Sequence, residues 1–245
     1  MSDSTAYEGA LADYFAGNAT DSPYNAHTDR PAMLALAGDV AGLRVLDVGC
    51  GAGHYIVELR ARGAAEVVGV EGSATLLGHA RDRTGDDPAV TLHQHDLEEP
   101  LAFLPDASFD LCVVALVHHH LDARRELLAE LHRVLRPGGA LLLSTVHPTA
   151  DWVWHGGSYF DEVRVETRFG DSGTTNSYRR MTMQTFLGEL LDTGFVLERL
   201  VEPRATEAAR QVDEARYLKT HQTPFFVAVR MRKVQEEPPV EEGRA

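Results

Sequence analysis

A glycine-rich turn between an apolar strand and a helix is the feature that most constrains the fold of this sequence. A strand pattern ending at Val48 enters residues 49–53, in which every second residue is glycine, and a second apolar run, 67–70, ends at Glu71. Because glycine lacks a Cβ and tolerates positive φ, such a turn lets the backbone approach a ligand closely. An acid after the next strand can accept both hydroxyls of a ribose. The pattern predicts a site for a nucleoside-bearing cofactor, rather than an ordinary strand-to-helix turn with incidental glycines.

The residue before the turn narrows the choice of cofactor. A dinucleotide fingerprint reads G-x-G-x-x-G, whereas this sequence places glycines at 49, 51 and 53 and Asp47 at the end of the strand before them. A carboxylate at that position repels a pyrophosphate but suits a ligand that presents an ammonium group and no phosphate. S-adenosyl-L-methionine (SAM) meets that description. The glycine spacing therefore disfavours a dehydrogenase.

Five segments follow one another in a recognisable order. They are 45–53, Glu71-Gly72-Ser73, His95-Asp96-Leu97, 108–114 and 135–139. In order and spacing, residues 43–146 resemble the class I SAM-dependent methyltransferases. Flanking segments at 24–31, 144–148, 178–180 and 201–204 resemble a group of small actinobacterial-type methyltransferases, similar to the methyltransferase-11-like group. The likeness is specific for SAM binding and leaves the methyl acceptor open.

The resemblance implies a role for each part of the cofactor site. Glu71 would hold the ribose, and Asp96 would accept from the adenine amino group unless it is a simple turn residue. Asp47 would order the turn and the ammonium group, while Tyr24 and Arg30 would close over the methionine end. The cofactor-binding residues expected in this way are Tyr24, Arg30, Asp47, Gly49, Cys50, Gly51, Gly53, Glu71, Gly72, Ser73, Asp96, Leu97, Ala115 and Leu116.

Composition favours a cytoplasmic α/β enzyme that acts on a small molecule. The formal net charge of −14 disfavours a nucleic-acid partner, because phosphate neutralisation by a basic surface supplies most of that affinity. The sequence shows no signal peptide and no apolar run long enough to span a bilayer, so no membrane partner is expected. Cys50 and Cys112 are interpreted as reduced core residues. A monomer or a homodimer is expected.

Apolar segments alternate with helical patterns along most of the chain, which predicts a doubly wound α/β domain. We expect a Rossmann-like, seven-stranded, mostly parallel sheet with helices on both faces and the last two strands antiparallel. The predicted strands are 44–48, 66–70, 90–94, 109–116, 140–146, 195–201 and 225–231, and the predicted helices include 54–62, 74–83, 122–135 and 182–191. Ser73 is expected to cap the helix that follows it.

One domain is predicted over residues 1–233. It divides into an N-terminal cap at 1–42, a core at 43–146, a lid insertion at 147–180 and a C-terminal core at 181–233, and 234–245 is expected to be a disordered tail. Trp152 and Trp154 favour a lid over a plain surface excursion, since two tryptophans are costly to leave in water.

Histidines are the candidates for acid–base catalysis, together with Tyr24. His118, His119 and His120 follow the fourth strand, and on an extended chain their side chains alternate, so His119 is expected to face the pocket. His147 comes directly after the fifth strand and is the second candidate; His27 and His155 follow. Each is individually more often structural than catalytic. A metal site built from His119, His147, Asp151 and His155 has no recognised ligand spacing, so no metal is expected.

Three functions stay open at this point. The leading one is methyl transfer from SAM to an oxygen, nitrogen or carbon atom of a small, apolar or aromatic acceptor, with S-adenosyl-L-homocysteine as the product. The second is modification of tRNA or protein, and the third is SAM binding without catalysis. For the first two, positioning of the reactants is the main contribution of the protein, worth about 7–11 kcal/mol in well-oriented systems.

Overall fold

The structure, a computed structural model, describes residues 8–168 and 175–234. Most of the predicted disordered tail therefore lies outside the described residues. The strands are β1 Arg44–Val48, β2 Glu66–Glu71, β3 Val90–Gln94, β4 Phe109–Ala115, β5 Leu135–Val146, β6 Arg164–Arg168, β7 Thr175–Arg179, β8 Phe195–Val201 and β9 Phe226–Lys233. The helices are α1 Ala10–Asp21, α2 Arg30–Ala37, α3 His54–Ala61, α4 Ala74–Thr84, α5 Arg124–Val134, α6 Pro148–His155, α7 Met183–Asp192, α8 Ala208–Val212 and α9 Glu214–Gln222.

Seven strands form one sheet in the order β3-β2-β1-β4-β5-β9-β8. The first five are parallel, and β9 runs antiparallel to both β5 and β8. This confirms the predicted mostly parallel, Rossmann-like sheet. Strand order reverses between β1 and β4, which places a crevice beyond the carboxyl ends of these strands, where open α/β sheets bind ligands.

Alternate residues of the central strands pack against helices on opposite faces of the sheet. Leu46 and Val48 belong to the same buried cluster as α5 and α7, whereas Val45 packs in the cluster that includes α2, α3 and α4. Burial on both faces explains why the central strands are almost continuously apolar. The predicted apolar stripe of α5 is buried; it consists of Leu127, Leu128, Leu131 and Val134.

The segment after β5 is more regular than its sequence pattern indicates. It contains α6 and a two-stranded antiparallel sheet formed by β6 and β7. Trp152 and Trp154 are 44% and 57% exposed, so the expectation that burial would remove them from water was wrong. Each still has a partner: the indole N–H of Trp152 donates to the Gly157 carbonyl at 3.0 Å, and the Lys219 Nζ lies 3.6 Å from the Trp154 ring centre.

The N-terminal helix α1 lies against α4. Ala12 and Ala16 form a small buried cluster with Ala52 and Leu76. The Glu8 carboxylate, just before α1, accepts the Ala74 backbone N–H at 2.7 Å at the start of α4. These contacts hold α1 over the carboxyl edge of the sheet. Within residues 8–168 and 175–234, every helix is too short or too polar to cross a bilayer.

Candidate functional site

A cavity of about 570 Å³ opens at the carboxyl edge of the sheet. The turns after β1, β2 and β4 form its floor, and residues of α1, α6, β7 and α9 and the start of β9 form its walls. Its wall includes Gly49, Gly51, Glu71, Leu97, Ala115 and Leu116 among the residues predicted to bind the cofactor. The structure thus brings loops from four strands together around one space.

The glycine turn after β1 has the left-handed backbone that its sequence predicts. Gly49 has φ of 70°, and a Cβ added there would overlap the side chain of Val117. Its N–H and that of Cys50 donate to the Val70 carbonyl at 2.8 and 3.0 Å, which ties β1 to β2. Gly51 has φ of 53°, and a Cβ there would meet open space. Since Gly51 lines the cavity, its missing side chain leaves room for a ligand against the backbone.

Glu71 connects the two loops that meet at the cavity. Its Oε2 accepts the Gly51 N–H at 2.9 Å, and its Oε1 accepts the Ser73 N–H at 2.9 Å. Burial raises the pKa of the carboxyl, whose residue is only 7% exposed. Each carboxylate oxygen has a further lone pair, so the group can also accept from two vicinal hydroxyls. Ser73 in turn caps α4, accepting the Leu76 N–H at 3.0 Å, as predicted.

Asp47 is a buried carboxylate beneath the turn. It is 1% exposed, and among the described residues its Oδ2 has no hydrogen-bond partner. Burial, and secondarily the charge of Glu71, raises its pKa to about 8. An unpartnered buried acid is costly, and a bound ammonium group would supply the missing charge and donors. Asp47 does not itself line the cavity, so it would act on an ammonium group there through its charge and through the turn at Gly49 and Gly51, which do line the cavity.

Two further segments complete the walls beside the turn. After β3, Leu97 is buried on the wall, and the Asp96 Oδ1 accepts the Glu98 N–H at 3.0 Å. After β4, Leu116 has φ of 59°, a left-handed backbone conformation that residues other than glycine rarely adopt. Its N–H is held by the Ser144 carbonyl at 3.1 Å. Such strain is typical of functional sites, where the surroundings over-determine the backbone.

The remaining predicted cofactor residues have varied surroundings. Tyr24 lies on the cavity wall, with its ring stacked 4.7 Å from that of Phe225. Arg30 is not on the wall; its Nη2 donates to the Ala19 carbonyl at 2.8 Å and so supports α1. Gly53 has φ of 79° where it precedes α3, and Cys50 and Gly72 are buried in the two turns.

The three consecutive histidines form a 3₁₀ turn, so the predicted extended conformation was wrong. His119 and His120 both line the cavity. His118 points away from it, with Nε2 3.2 Å from Glu189. The His119 Nδ1 lies 3.0 Å from the Thr145 hydroxyl, and burial holds the pKa of His119 well below its usual range. His119 is therefore a neutral side chain on the cavity wall at neutral pH.

The other candidate histidines lie off the wall. His147 caps α6, its Nδ1 accepting the Thr149 N–H at 3.1 Å, and its Nε2 lies 3.2 Å from Glu202. His27 lies in a π-helical turn, Asn25–Asp29, and its carbonyl accepts the Thr206 N–H. The His155 Nε2 lies 3.1 Å from the Tyr178 hydroxyl.

Asp151 and Tyr178 are wall residues that the sequence reasoning did not assign to the substrate pocket. The Tyr178 hydroxyl donates to the Asp151 Oδ1 at 2.7 Å, and both residues line the cavity. Asp151 was considered only among possible metal ligands. Asp151 could have been found from its position shortly after β5, because ligands bind at the carboxyl ends of the strands; it lies in the first turn of α6. Over the described ranges, no three His, Cys, Asp or Glu side chains converge as a metal site.

Comparisons with known proteins agree with this geometry. A family profile described as a methyltransferase domain matches residues 46–143. An uncharacterized methyltransferase of Mycobacterium bovis is 34% identical over 137 residues, which cover 55% of this chain and 68% of that protein. The 27-O-demethylrifamycin SV methyltransferase of Amycolatopsis mediterranei is 37% identical over 121 residues, or 47% of this chain and 42% of that protein.

A solved structure extends the similarity beyond the matched domain. The S-adenosylmethionine-dependent methyltransferase of Mesorhizobium loti superposes with a TM-score of 0.65 at 26% identity, covering 82% of this chain and 96% of that one. With the fold, the glycine turn and the buried acids described above, these similarities define the class of protein. The chain belongs to the class I SAM-dependent methyltransferases, and SAM is its cofactor.

Proposed function

We propose that this enzyme transfers the methyl group of SAM to a small organic acceptor with an apolar or aromatic body. The observation that carries the proposal is the shared cavity: some of the residues expected to bind SAM, among them Gly49, Gly51 and Glu71, line the same space of about 570 Å³ as a set of aromatic side chains. The aromatic residues on the described wall are Tyr14, Phe15, Tyr24, Trp154, Tyr178, Phe225 and Phe226. An acceptor seated among them would lie beside the cofactor.

SAM supplies a methyl group on a positively charged sulfur, which is a good leaving group. The chain's residues then have to align the acceptor with that methyl group for in-line displacement at oxygen, nitrogen or carbon. Glu71 would hold the ribose, and Asp47 would favour the end that carries the ammonium group. Helices α1 and α6 contribute side chains to the cavity wall. Alignment of this kind can lower the barrier by about 7–11 kcal/mol in well-oriented systems.

Charge and similarity also support a small acceptor. The net charge of −14 opposes binding to tRNA, since nucleic-acid affinity depends on phosphate neutralisation. The relative from Amycolatopsis mediterranei carries a small-molecule acceptor in its name. Modification of tRNA or protein is the competing function, and the experiment must separate the two.

The test uses SAM labelled in its methyl group. The purified protein is incubated with labelled SAM and, separately, with a panel of phenols, amines and carboxylic acids, with bulk tRNA, and with a protein extract. We expect the label to enter at least one small molecule and neither macromolecular fraction, and the E71A variant to transfer at least tenfold less. Label that enters only tRNA or protein would contradict the proposal.

A further inference from the structure

Asp151 places a buried negative charge on the wall of the cavity. Among the wall residues that the structure describes, only Glu71 and Asp151 are acidic, and Glu71 belongs to the cofactor turn. Asp151 lies in the first turn of α6 and is 5% exposed. Its Oδ1 accepts the Tyr178 O–H at 2.7 Å, and that hydroxyl is fixed on its other side by His155 at 3.1 Å. The carboxylate is therefore held in place at the wall.

No described cationic side chain forms an ion pair with Asp151. Arg180 lies near enough to influence it, but its guanidinium donates to the carbonyls of Gly156 and Ser158, both at 3.2 Å. Among the described wall residues, Arg216 is the one arginine or lysine, and its Nε lies 3.4 Å from the Asp213 Oδ2. His119 is held neutral by burial, which lowers its pKa. The charge of Asp151 thus lacks a cation of its own.

The electrostatic state of Asp151 agrees with this position. Burial raises the pKa of its carboxyl to about 6, and the Tyr178 hydroxyl and the charge of Arg180 offset only part of that effect. At pH 7.5 the group is mostly ionised in a poorly solvated place, which is unfavourable unless a cation binds there.

Aromatic faces surround the same part of the cavity. Trp154 lies one turn of α6 beyond Asp151 and also lines the cavity, although the Lys219 Nζ occupies one side of its ring at 3.6 Å. Tyr178 contacts the carboxylate through its hydroxyl. An ammonium group gains a charge-assisted hydrogen bond from a carboxylate and further attraction from the face of an aromatic ring. Carboxylic acids and phenolates gain neither.

Resting on the function proposed above, we infer that the acceptor belongs to the class of small aromatic or apolar amines and that Asp151 binds its positively charged nitrogen. The Asp151 carboxylate would favour acceptors with a positive charge, and the aromatic residues of the wall would favour acceptors with an apolar body. Asp151 is thereby a specificity-determining residue for the methyl acceptor. Arg216, which also lines the cavity, is already paired with Asp213 and lies 5.9 Å from the centre of the Tyr24 ring.

Three compounds of similar size test the inference by isothermal titration calorimetry at pH 7.5. Phenethylamine, 2-phenylethanol and 3-phenylpropionate are each titrated into protein saturated with S-adenosyl-L-homocysteine. We expect phenethylamine to bind at least tenfold more tightly than the other two. In D151N, phenethylamine should bind at least tenfold more weakly, while the affinities for 2-phenylethanol and for S-adenosyl-L-homocysteine stay within twofold of wild type.

A matched variant controls for the change in net charge. Asp192 is exposed, lies outside the cavity wall and pairs with Arg125 at 3.3 Å, so D192N removes the same charge and should leave all three affinities unchanged. Equal or tighter binding of the alcohol or the acid, no binding of phenethylamine, or unchanged phenethylamine binding in D151N would each overturn the inference.

The order of the titrations separates this inference from the proposed function. S-adenosyl-L-homocysteine is titrated alone first, and a failure at that step counts against the cofactor site rather than against Asp151. If D151N does not fold, the ranking of the three compounds on the wild-type protein decides the question, because that ranking needs no variant.

Discussion

At the scale of single residues, Glu71 has two roles at the cofactor turn. It fixes the Gly51 and Ser73 amides and faces the cavity. We expect E71A to weaken SAM binding by tens of fold or more, because each charge-assisted hydrogen bond to a ribose hydroxyl contributes about 1.5–3 kcal/mol. Calorimetric titration with SAM measures the effect. In the control E66A, at the opposite end of β2, the Kd should not change, since Glu66 pairs with Arg44 outside the cavity. An unchanged Kd in E71A would reject the ribose assignment.

The two glycines that begin the turn should respond differently to an added methyl group. At Gly51 the Cβ meets open space in the cavity, so G51A should lower SAM affinity at least tenfold while costing only about 1–2 kcal/mol of stability for the left-handed backbone. At Gly49 the Cβ also overlaps Val117, so G49A should destabilise the fold more. Urea denaturation and calorimetry measure the two effects.

Gly78 provides the matched control for these glycine variants. It lies within α4 with no atom within 4 Å of an added Cβ. G78A should therefore stabilise the protein by about 0.5–1 kcal/mol and leave SAM binding unchanged, because alanine is the better helix former. Wild-type SAM affinity in G51A would show that the cofactor does not pass over this turn.

At the scale of secondary-structure elements, an ion pair joins α5 to α7 beneath the histidine turn. Arg124 donates to both oxygens of Glu189, through Nε at 3.0 Å and Nη2 at 2.8 Å. The two side chains are 11% and 4% exposed. Burial acts to raise the pKa of Glu189, but the close approach of His118 Nε2 at 3.2 Å and the hydrogen bonds from Arg124 outweigh it and hold that pKa at about 2. The pair and His118 thus form one buried polar cluster.

Replacing one partner of this ion pair should destabilise the protein more than replacing both partners. E189L or R124M alone leaves a buried charge without its partner, and we expect each to destabilise the protein by about 3–5 kcal/mol. The double variant should be more stable than the less stable single variant, since neither charge is left alone. Urea denaturation of the four proteins completes the double-mutant cycle. A double variant as unstable as the sum of the two single effects would show that the groups act independently.

At the scale of the whole molecule, buried ionisable groups set the dependence of stability on pH. The pKa of Asp47 is about 8 in the folded protein, against 3.8 for an ordinary aspartate. The folded state therefore binds a proton that the unfolded state releases, and the stability so gained is fully present below pH 4 and lost as the pH rises to 8. Histidines with lowered pKa values, such as His54 at about 4, act in the opposite direction, and their effect extends to about pH 7.5, because an unfolded histidine is still half protonated at pH 6.5.

The other groups with shifted pKa values contribute less between pH 7.5 and 8.5, and comparison with D47N in this window reports on Asp47. We expect the free energy of unfolding of the ligand-free protein to fall across this window, by at most about 1.4 kcal/mol per pH unit. In D47N the slope should be clearly smaller, because the titrating group is gone. Urea denaturation at a series of pH values measures both slopes. Parallel curves for the two proteins would contradict the raised pKa of Asp47.

Much of the fold could be predicted from local sequence patterns. The five parallel strands, the helix cap at Ser73 and the buried stripe of α5 depend on periodicity and on capping chemistry within a few residues. The turn at Gly49 and Gly51 was recognisable for the same reason, since its backbone conformation requires glycine locally. The unpredicted helices α8 and α9 carry little such signal: their buried core is a small cluster of Ala205, Ala209 and Tyr217.

What sequence alone determined was the order of the strands of the main sheet along the chain and the class of cofactor, because both are encoded in short segments whose chemistry is local. Only the tertiary structure decided which polar groups face the acceptor. The contact between Asp151 and Tyr178 joins residues 27 apart, and the ion pair of Arg124 and Glu189 joins residues 65 apart. The His119 side chain likewise faces the cavity because the 3₁₀ turn that contains it packs against β5 and β7. Such placements depend on how distant elements pack, and no local pattern specifies that packing.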